Sequence, residues 1–243
     1  MNSYIEKLES IADVHINHDP AQALDSKAQA LDMEKVLPYV VGPAVLELGY
    51  GDGMWTRRII ELHDKTHLVD ASAKLLNHAR SVHGDQVTTF NALFETFVPP
   101  DDLRFNTIVA THILEHVDDP VVVLERAKSW LAPGGKVVII VPNATSLHRK
   151  LAVIMGIQST VYDFSPRDHV VGHQRVYDLP TLRADAMKAG YNIEFERGLF
   201  LKTLPNSMMT DFSDELLKAL VDISDEMPAE MMANLALVIS PKN

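Results

Sequence analysis

With 243 residues, 47% of them hydrophobic and 23% charged, the chain has the make-up of a globular domain with an appendage and is long enough to bury a sizeable core. Its 33 acidic against 22 basic residues, a formal net charge of −11, argue against a nucleic-acid partner, because phosphate-backbone binding rests on lysine and arginine displacing counterions. Cysteine is absent, which removes disulfides and thiolate metal sites, no apolar run approaches the roughly 20 residues that cross a bilayer, and the opening Met-Asn-Ser-Tyr-Ile-Glu-Lys has no signal-peptide core. The expectation is a cytoplasmic protein without membrane or nucleic-acid partners, with a homodimer left open.

Along the chain, Tyr4, Ile5, Leu8, Ile11 and Ala12 recur at helical spacing, and Leu24, Ala28 and Leu31 continue a second helical pattern towards Pro38. Residues 1–40 therefore read as two helices outside the main domain, which takes up 41–243. The domain opens with Ala44 to Leu48, a short apolar run that includes Glu47 and reads as a buried strand. Gly49-Tyr50-Gly51-Asp52-Gly53 follows, then a helix from Met54 to His63. Glycines in such a turn let the backbone take positive φ and let a ligand approach, while the helix behind offers unpaired N–H groups. The dinucleotide fingerprint would need glycine at position 54, where methionine stands, so a nicotinamide-dependent oxidoreductase is the weaker alternative.

His67 to Asp70 reads as the second strand, ending in an acid 17 positions after Gly53. An acid at the carboxyl end of a strand in an open α/β sheet can accept both ribose hydroxyls. The competing role, capping the helix Ala73 to His83, fits Ser72 better. Further strands are expected at Val87 to Phe90, Phe105 to Ala110, Lys136 to Val141, Tyr191 to Leu201 and Asn234 to Ser240. Helices are expected at Val121 to Trp130, Leu179 to Ala189 and Asp211 to about Met227, with Ala132 to Gly135 as a turn. Crossovers of about 30 residues imply a parallel doubly wound sheet, and the short last connection implies an antiparallel pair at its edge. Residues 144–178 stand as a polar insertion at the substrate side.

Glu47 before Gly-x-Gly-x-Gly, Asp70, the stretch Thr111-His112-Ile113-Leu114-Glu115-His116-Val117-Asp118-Asp119-Pro120, and Pro133-Gly134-Gly135 with the strand behind them together resemble the class I S-adenosylmethionine-dependent methyltransferases of small-molecule type. The resemblance is strongest over residues 41–143. It implies a Rossmann-like, mostly parallel seven-stranded sheet with an antiparallel last strand and N-terminal lid helices. It also implies S-adenosylmethionine as cofactor, held by Glu47, Gly49, Tyr50, Gly51, Gly53, Asp70, Ala71, Asn91, Ala92, Leu93 and Thr111. The family usually has aspartate where Asn91 stands; an asparagine carbonyl accepts the same adenine bond without the charge. Phe94 is a candidate to flank the ring, and the lid makes Tyr4, His15 and His18 candidates for substrate contact.

The implied reaction moves a methyl group to an oxygen or nitrogen nucleophile, in preference to carbon, of a small-molecule acceptor. A methyl already activated on a sulfonium needs in-line alignment and exclusion of water more than covalent help, and a histidine base suits a hydroxyl or protonated amine. His112, His116, His169 and His173 are the candidates, with His173 foremost. Arg149, Arg167 and Arg175 in the insertion suit an anionic acceptor, unless they pair with Asp163, Asp168 and Asp178 instead. No metal is required. In the alternative with one, His112, Glu115 and His116 stand at i, i+3 and i+4 and share a face if this stretch is helical, with His169 or His173 as a further ligand. A non-catalytic protein of the same fold is the remaining reading.

Overall fold

A computed structural model describes residues 2–16 and 23–242. Its helices are α1 (Asn2–Ile16), α2 (Ala23–Val36), α3 (Met54–Leu62), α4 (Ala73–His83), α5 (Pro120–Trp130), α6 (Leu147–Ile154), α7 (Pro166–Val171), α8 (Leu179–Lys188) and α9 (Asp214–Asp222). The strands are β1 (Ala44–Leu48), β2 (Lys65–Asp70), β3 (Val87–Asn91), β4 (Phe105–Thr111), β5 (Leu131–Pro142), β6 (Tyr191–Leu199) and β7 (Asn234–Pro241). None of these helices is long and apolar enough to cross a membrane.

One sheet in the order β3-β2-β1-β4-β5-β7-β6 carries the fold. The first five strands pair in parallel, and β7 runs antiparallel to both β5 and β6. All five residues of β1 are buried, as expected of a strand covered on both faces. Alternate residues serve opposite layers: Leu46 packs with Ile108, Leu124 and Trp130, and Val45 with Val36, Ile59 and Val138. From β1 the chain moves outward one way through β2 and β3, then returns to place β4 on the other side of β1. That reversal opens a crevice at the carboxyl ends of β1 and β4, where open α/β sheets bind ligands.

Local chemistry sets the element ends. Ser72 caps α4 by accepting from Leu75 N–H, and Asp119 caps α5 ahead of Pro120. The expected 132–135 turn is absorbed into β5 as an irregularity in its pairing with β4. The helix expected over 211–227 is shorter, since Ser213 caps it and a 3₁₀ turn, Ile223–Asp225, follows it. Residues 144–178 contain α6 and α7, the latter opened by a Ser165–Asp168 capping box.

The N-terminal helices pack against different parts of the domain. The Glu9 carboxylate of α1 accepts from Ser72 Oγ at 2.8 Å and Ala73 N at 2.7 Å, so α1 is held on the N-terminus of α4. Lys74 pairs with Asp13 at 3.0 Å beside it. In α2, Met33 and Val36 join the core behind β1, and Ala28 packs with Phe200, Leu217 and Val221.

Candidate active site

The carboxyl ends of β1, β2 and β4 open into a cavity of about 650 Å³. That size lies within the range that encloses drug-sized ligands. Its first wall is the glycine turn. Gly49 has φ of 76°, and a Cβ there would lie 2.5 Å from Ile113 Cδ1. Gly51 has φ of 55° and faces open space. The turn is therefore shaped by packing at one glycine and left clear for a ligand at the next.

Asp70 is buried and braces this turn: Oδ2 accepts from Tyr50 N at 2.9 Å, and Oδ1 from Ser72 N at 2.7 Å. Burial raises its pKa against those two bonds. Glu47 is almost wholly buried, accepts from Thr56 Oγ1, and is pushed well above the usual carboxylate range by burial. Of the residues expected around the cofactor, Glu47, Gly49, Tyr50, Gly51, Asp70, Ala71, Leu93 and Thr111 line the cavity, as does Phe94. Gly53, Asn91 and Ala92 do not: Gly53 lies beneath the turn against Tyr50, while Asn91 Nδ2 donates to the carbonyls of Asp70 and Ala71 at 3.1 and 3.0 Å. The asparagine thus braces the end of β2. Asp52, Ser72 and Glu95 line the cavity without having been expected to.

A second wall, next to the glycine turn, is built on the turn after β4. His112 has φ of 56°, a left-handed conformation uncommon outside glycine, and the stretch through Asp118 is not helical. The expected i, i+3, i+4 face therefore does not form. Leu114 is fully buried, and His112 Nδ1 lies 3.4 Å from Glu115 Oε1. Glu115 is buried. Burial would raise its pKa, but the histidines at 112, 116 and 173 outweigh that and lower it.

Residues 173–175 bring the segment after α7 onto this turn. Gln174 N donates to Glu115 O at 2.8 Å, and Gln174 Nε2 to His116 O at 2.6 Å. Arg175 donates to the carbonyls of Leu114, Val117 and Asp118 at 2.7, 2.5 and 2.9 Å. The His116 and His173 rings meet edge to face, 4.7 Å between centroids, and one donor atom each from Glu115, His116 and His173 lie within 4.8 Å of one another. Behind them His173 Nδ1 is 2.8 Å from Asp168 Oδ1, and Arg149 Nη2 is 2.9 Å from Asp168 Oδ2. Burial acts to raise the Asp168 pKa, but bonds from His173 and Ser165 and the charge of Arg149 hold it far below the carboxylate range.

These contacts revise the expected substrate residues. Arg149 is buried and occupied by Asp168 and the carbonyls of Val161 and Asp163, and Arg175 is occupied by the turn, so neither presents its fork to an acceptor. His169 packs on Phe164, 5.6 Å between centroids, and is not on the cavity wall. Arg149, Arg167, His112, His116 and His173 are on it. Tyr4 and His15 fall in α1, where their side chains lie outside the described residues, as does the whole of His18.

A third wall was not legible in the sequence. Phe200, another non-glycine at positive φ (58°), turns the chain off β6, and Lys202, Pro205 and Asn206 beyond it line the cavity, as do Ser26 and Gln29 of α2. His148 joins this wall, pushed down to about 3 by burial and by the charges of Lys202 and Arg149, with Nδ1 buried and unpartnered among the described residues. Asn234 lines the cavity too and donates to buried Asp32 at 2.9 Å.

Comparison with known proteins agrees with this architecture. A family model described as a methyltransferase domain matches residues 13–195. The ubiquinone biosynthesis O-methyltransferase of Xanthomonas euvesicatoria pv. vesicatoria is 29% identical over 119 residues, which cover 47% of this chain and 49% of that protein, so the match spans about half the length of the relative. Among solved structures, a possible histamine N-methyltransferase from Thermotoga maritima superposes with a TM-score of 0.64 at 17% identity, covering 96% of this chain and 99% of that one. The CcbJ methyltransferase from Streptomyces caelestis does so at 0.63 and 16%, covering 97% of each. At these identities the structural likeness speaks to the fold. The family model covers three quarters of the residues, and on that ground the chain belongs to the methyltransferase-domain family, the class I S-adenosylmethionine-dependent methyltransferases.

Proposed function

We propose that this protein transfers the methyl group of S-adenosylmethionine to a hydroxyl of a small-molecule acceptor. The observation that carries the reading is a single cavity joining the glycine turn to the His116–His173 pair. The cofactor's amino-acid end fits Glu47 to Gly51, with the ribose at Asp70 and the adenine beside Leu93 and Phe94. Open space over Gly51 and the Asp52 carboxylate on the cavity wall suit a ligand that carries a positive charge. When bound, S-adenosylmethionine supplies a methyl activated on sulfur. The chain's own task is to align the acceptor, exclude water and take its proton, which His173 does as base. Oxygen is favoured over nitrogen by the O-methyltransferase relative. An acceptor with an anionic group is supported by Arg167, which lines the cavity, since Arg149 and Arg175 are occupied.

Calorimetry with S-adenosylmethionine and with NAD separates this from an oxidoreductase. Labelled methyl transfer into a small-molecule extract separates it from a non-catalytic fold member. His173→Ala should lower turnover by about a hundredfold or more if it is the base, and leave cofactor affinity in place. Unchanged kcat and KM for the acceptor would sink the assignment.

One observation favours a second reading. Glu115, His116 and His173 are close enough to share a divalent ion, which would grip the acceptor oxygen directly. Of the expected ligands, Glu115 and His116 come together with His173, which was expected as a further ligand, and His112 is outside the group. Transfer that survives exhaustive chelation, with no metal found in the purified protein, would exclude it.

A further inference from the structure

We propose that Asp168 is a positioning residue that fixes His173 in the Nδ1–H tautomer, leaving the Nε2 lone pair as the group the cavity uses. The inference rests on the role given to His173 above and holds for it as base or as metal ligand, since both need a bare nitrogen. Asp168 Oδ1 lies 2.8 Å from His173 Nδ1, and a carboxylate can only accept there, so the proton sits on Nδ1. The carboxylate is itself immobilised. Arg149 holds its other oxygen at 2.9 Å, Ser165 N donates to that oxygen at 2.7 Å, and Asp168 N donates to Ser165 Oγ at 3.1 Å. The main chain repeats the tie, with His173 N donating to Asp168 O at 2.8 Å.

Four of these five bonds would serve a plain structural role, in which Asp168 caps the six-residue α7 and pairs with Arg149. The fifth, to the imidazole, is not needed for either. A histidine that only packed against the insertion would have no reason to put a ring nitrogen on a buried carboxylate while presenting its ring to His116 in the cavity. Carboxylates behind functional histidines do this work: they set the tautomer and hold the ring.

The test reads the tautomer directly and needs no acceptor, so it can fail while the transfer reading stands, and the reverse. ¹⁵N imidazole spectra of the whole protein, with His173 assigned by its loss in His173→Gln, should show a protonated Nδ1 and a pyridine-type Nε2. A charge-assisted hydrogen bond biases the two tautomers by about tenfold or more. In Asp168→Asn, Arg149 and Ser165 N both demand an acceptor, so the amide keeps its oxygen there and turns its NH₂ to His173. The proton should then move to Nε2. Ser165→Ala loosens the cap of α7 but spares the carboxylate, and should leave Nδ1–H in place. An Nε2–H tautomer in the wild-type protein, an unchanged tautomer in Asp168→Asn, or an equal swap in Ser165→Ala would each overturn the proposal. The first of these needs no variant to fold.

Discussion

Asp32 offers a stability test whose size follows from where it lies. Its side chain is buried on α2, Oδ2 accepts from Asn234, and Oδ1 has no partner among the described residues. Burial pushes its pKa from an ordinary 3.8 to about 7, against the bond from Asn234 and the charges of His112, Arg197 and Lys35. A carboxyl that binds its proton more tightly when folded contributes its full stability below the unfolded pKa and loses it as pH rises towards the folded one. At ~1.4 kcal/mol per pH unit, ~4 kcal/mol would be lost between pH 4 and 7. Because the group is fully buried, solvent screening takes little off this. Asp32→Asn keeps an acceptor for Asn234 and cannot ionise, so its advantage over the wild-type protein should grow by ~2–3 kcal/mol between pH 5 and 7. Urea unfolding of both proteins at intervals across that range measures it, and the remaining titrations cancel in the difference. A gap that stays constant with pH would show that Asp32 is ionised throughout, and the reasoning from burial would be wrong.

Asp70→Ala removes the acceptor of two backbone bonds at the mouth of the glycine turn, and calorimetry should find S-adenosylmethionine bound at least about tenfold more weakly, a loss of ~1.4 kcal/mol or more. Gly51→Val puts a β-branched residue at φ of 55° in space kept clear for the ligand, and binding should fall further than in Asp70→Ala while the thermal midpoint drops. Arg175→Ala frees three carbonyls of the 114–118 turn and loosens the turn that carries His116. Transfer should fall at least about tenfold with cofactor affinity held, and a variant with full activity would show that the clamp is dispensable.

What the sequence made legible was local. The run Ala44 to Leu48, the glycines behind it and the Ser72 cap of α4 each announce themselves within a few residues, and each is where it was expected. Asp70 and Ser72 had been weighed as rivals for one cap, but both have work: Ser72 caps the helix while Asp70 ties β2 to the turn. What escaped was set by distant partners. Nothing near Arg175 tells that its guanidinium will meet carbonyls 57 to 61 residues earlier in the chain. Asp163, considered as a partner for the arginines, meets Arg149 through its main-chain carbonyl, while its carboxylate accepts from the backbone of Ser159 and Thr160. His112 and Phe200 take left-handed backbone against their intrinsic preference because the ends of β4 and β6 must turn there, and such overrides leave no trace in periodicity.

The interior position of β7 bears on how the chain is made. The strand that enters between β5 and β6 follows both of them in sequence, so on a ribosome the edge of β5 emerges with no neighbour and stays bare until nearly a hundred further residues have appeared. Val137 to Val141, an unbroken β-branched stretch, is what that edge presents. A bare edge of that kind is open to pairing with a wrong partner during synthesis. β6, meanwhile, has β7 as its one neighbour in the sheet, so its pairing waits until β7 has been made.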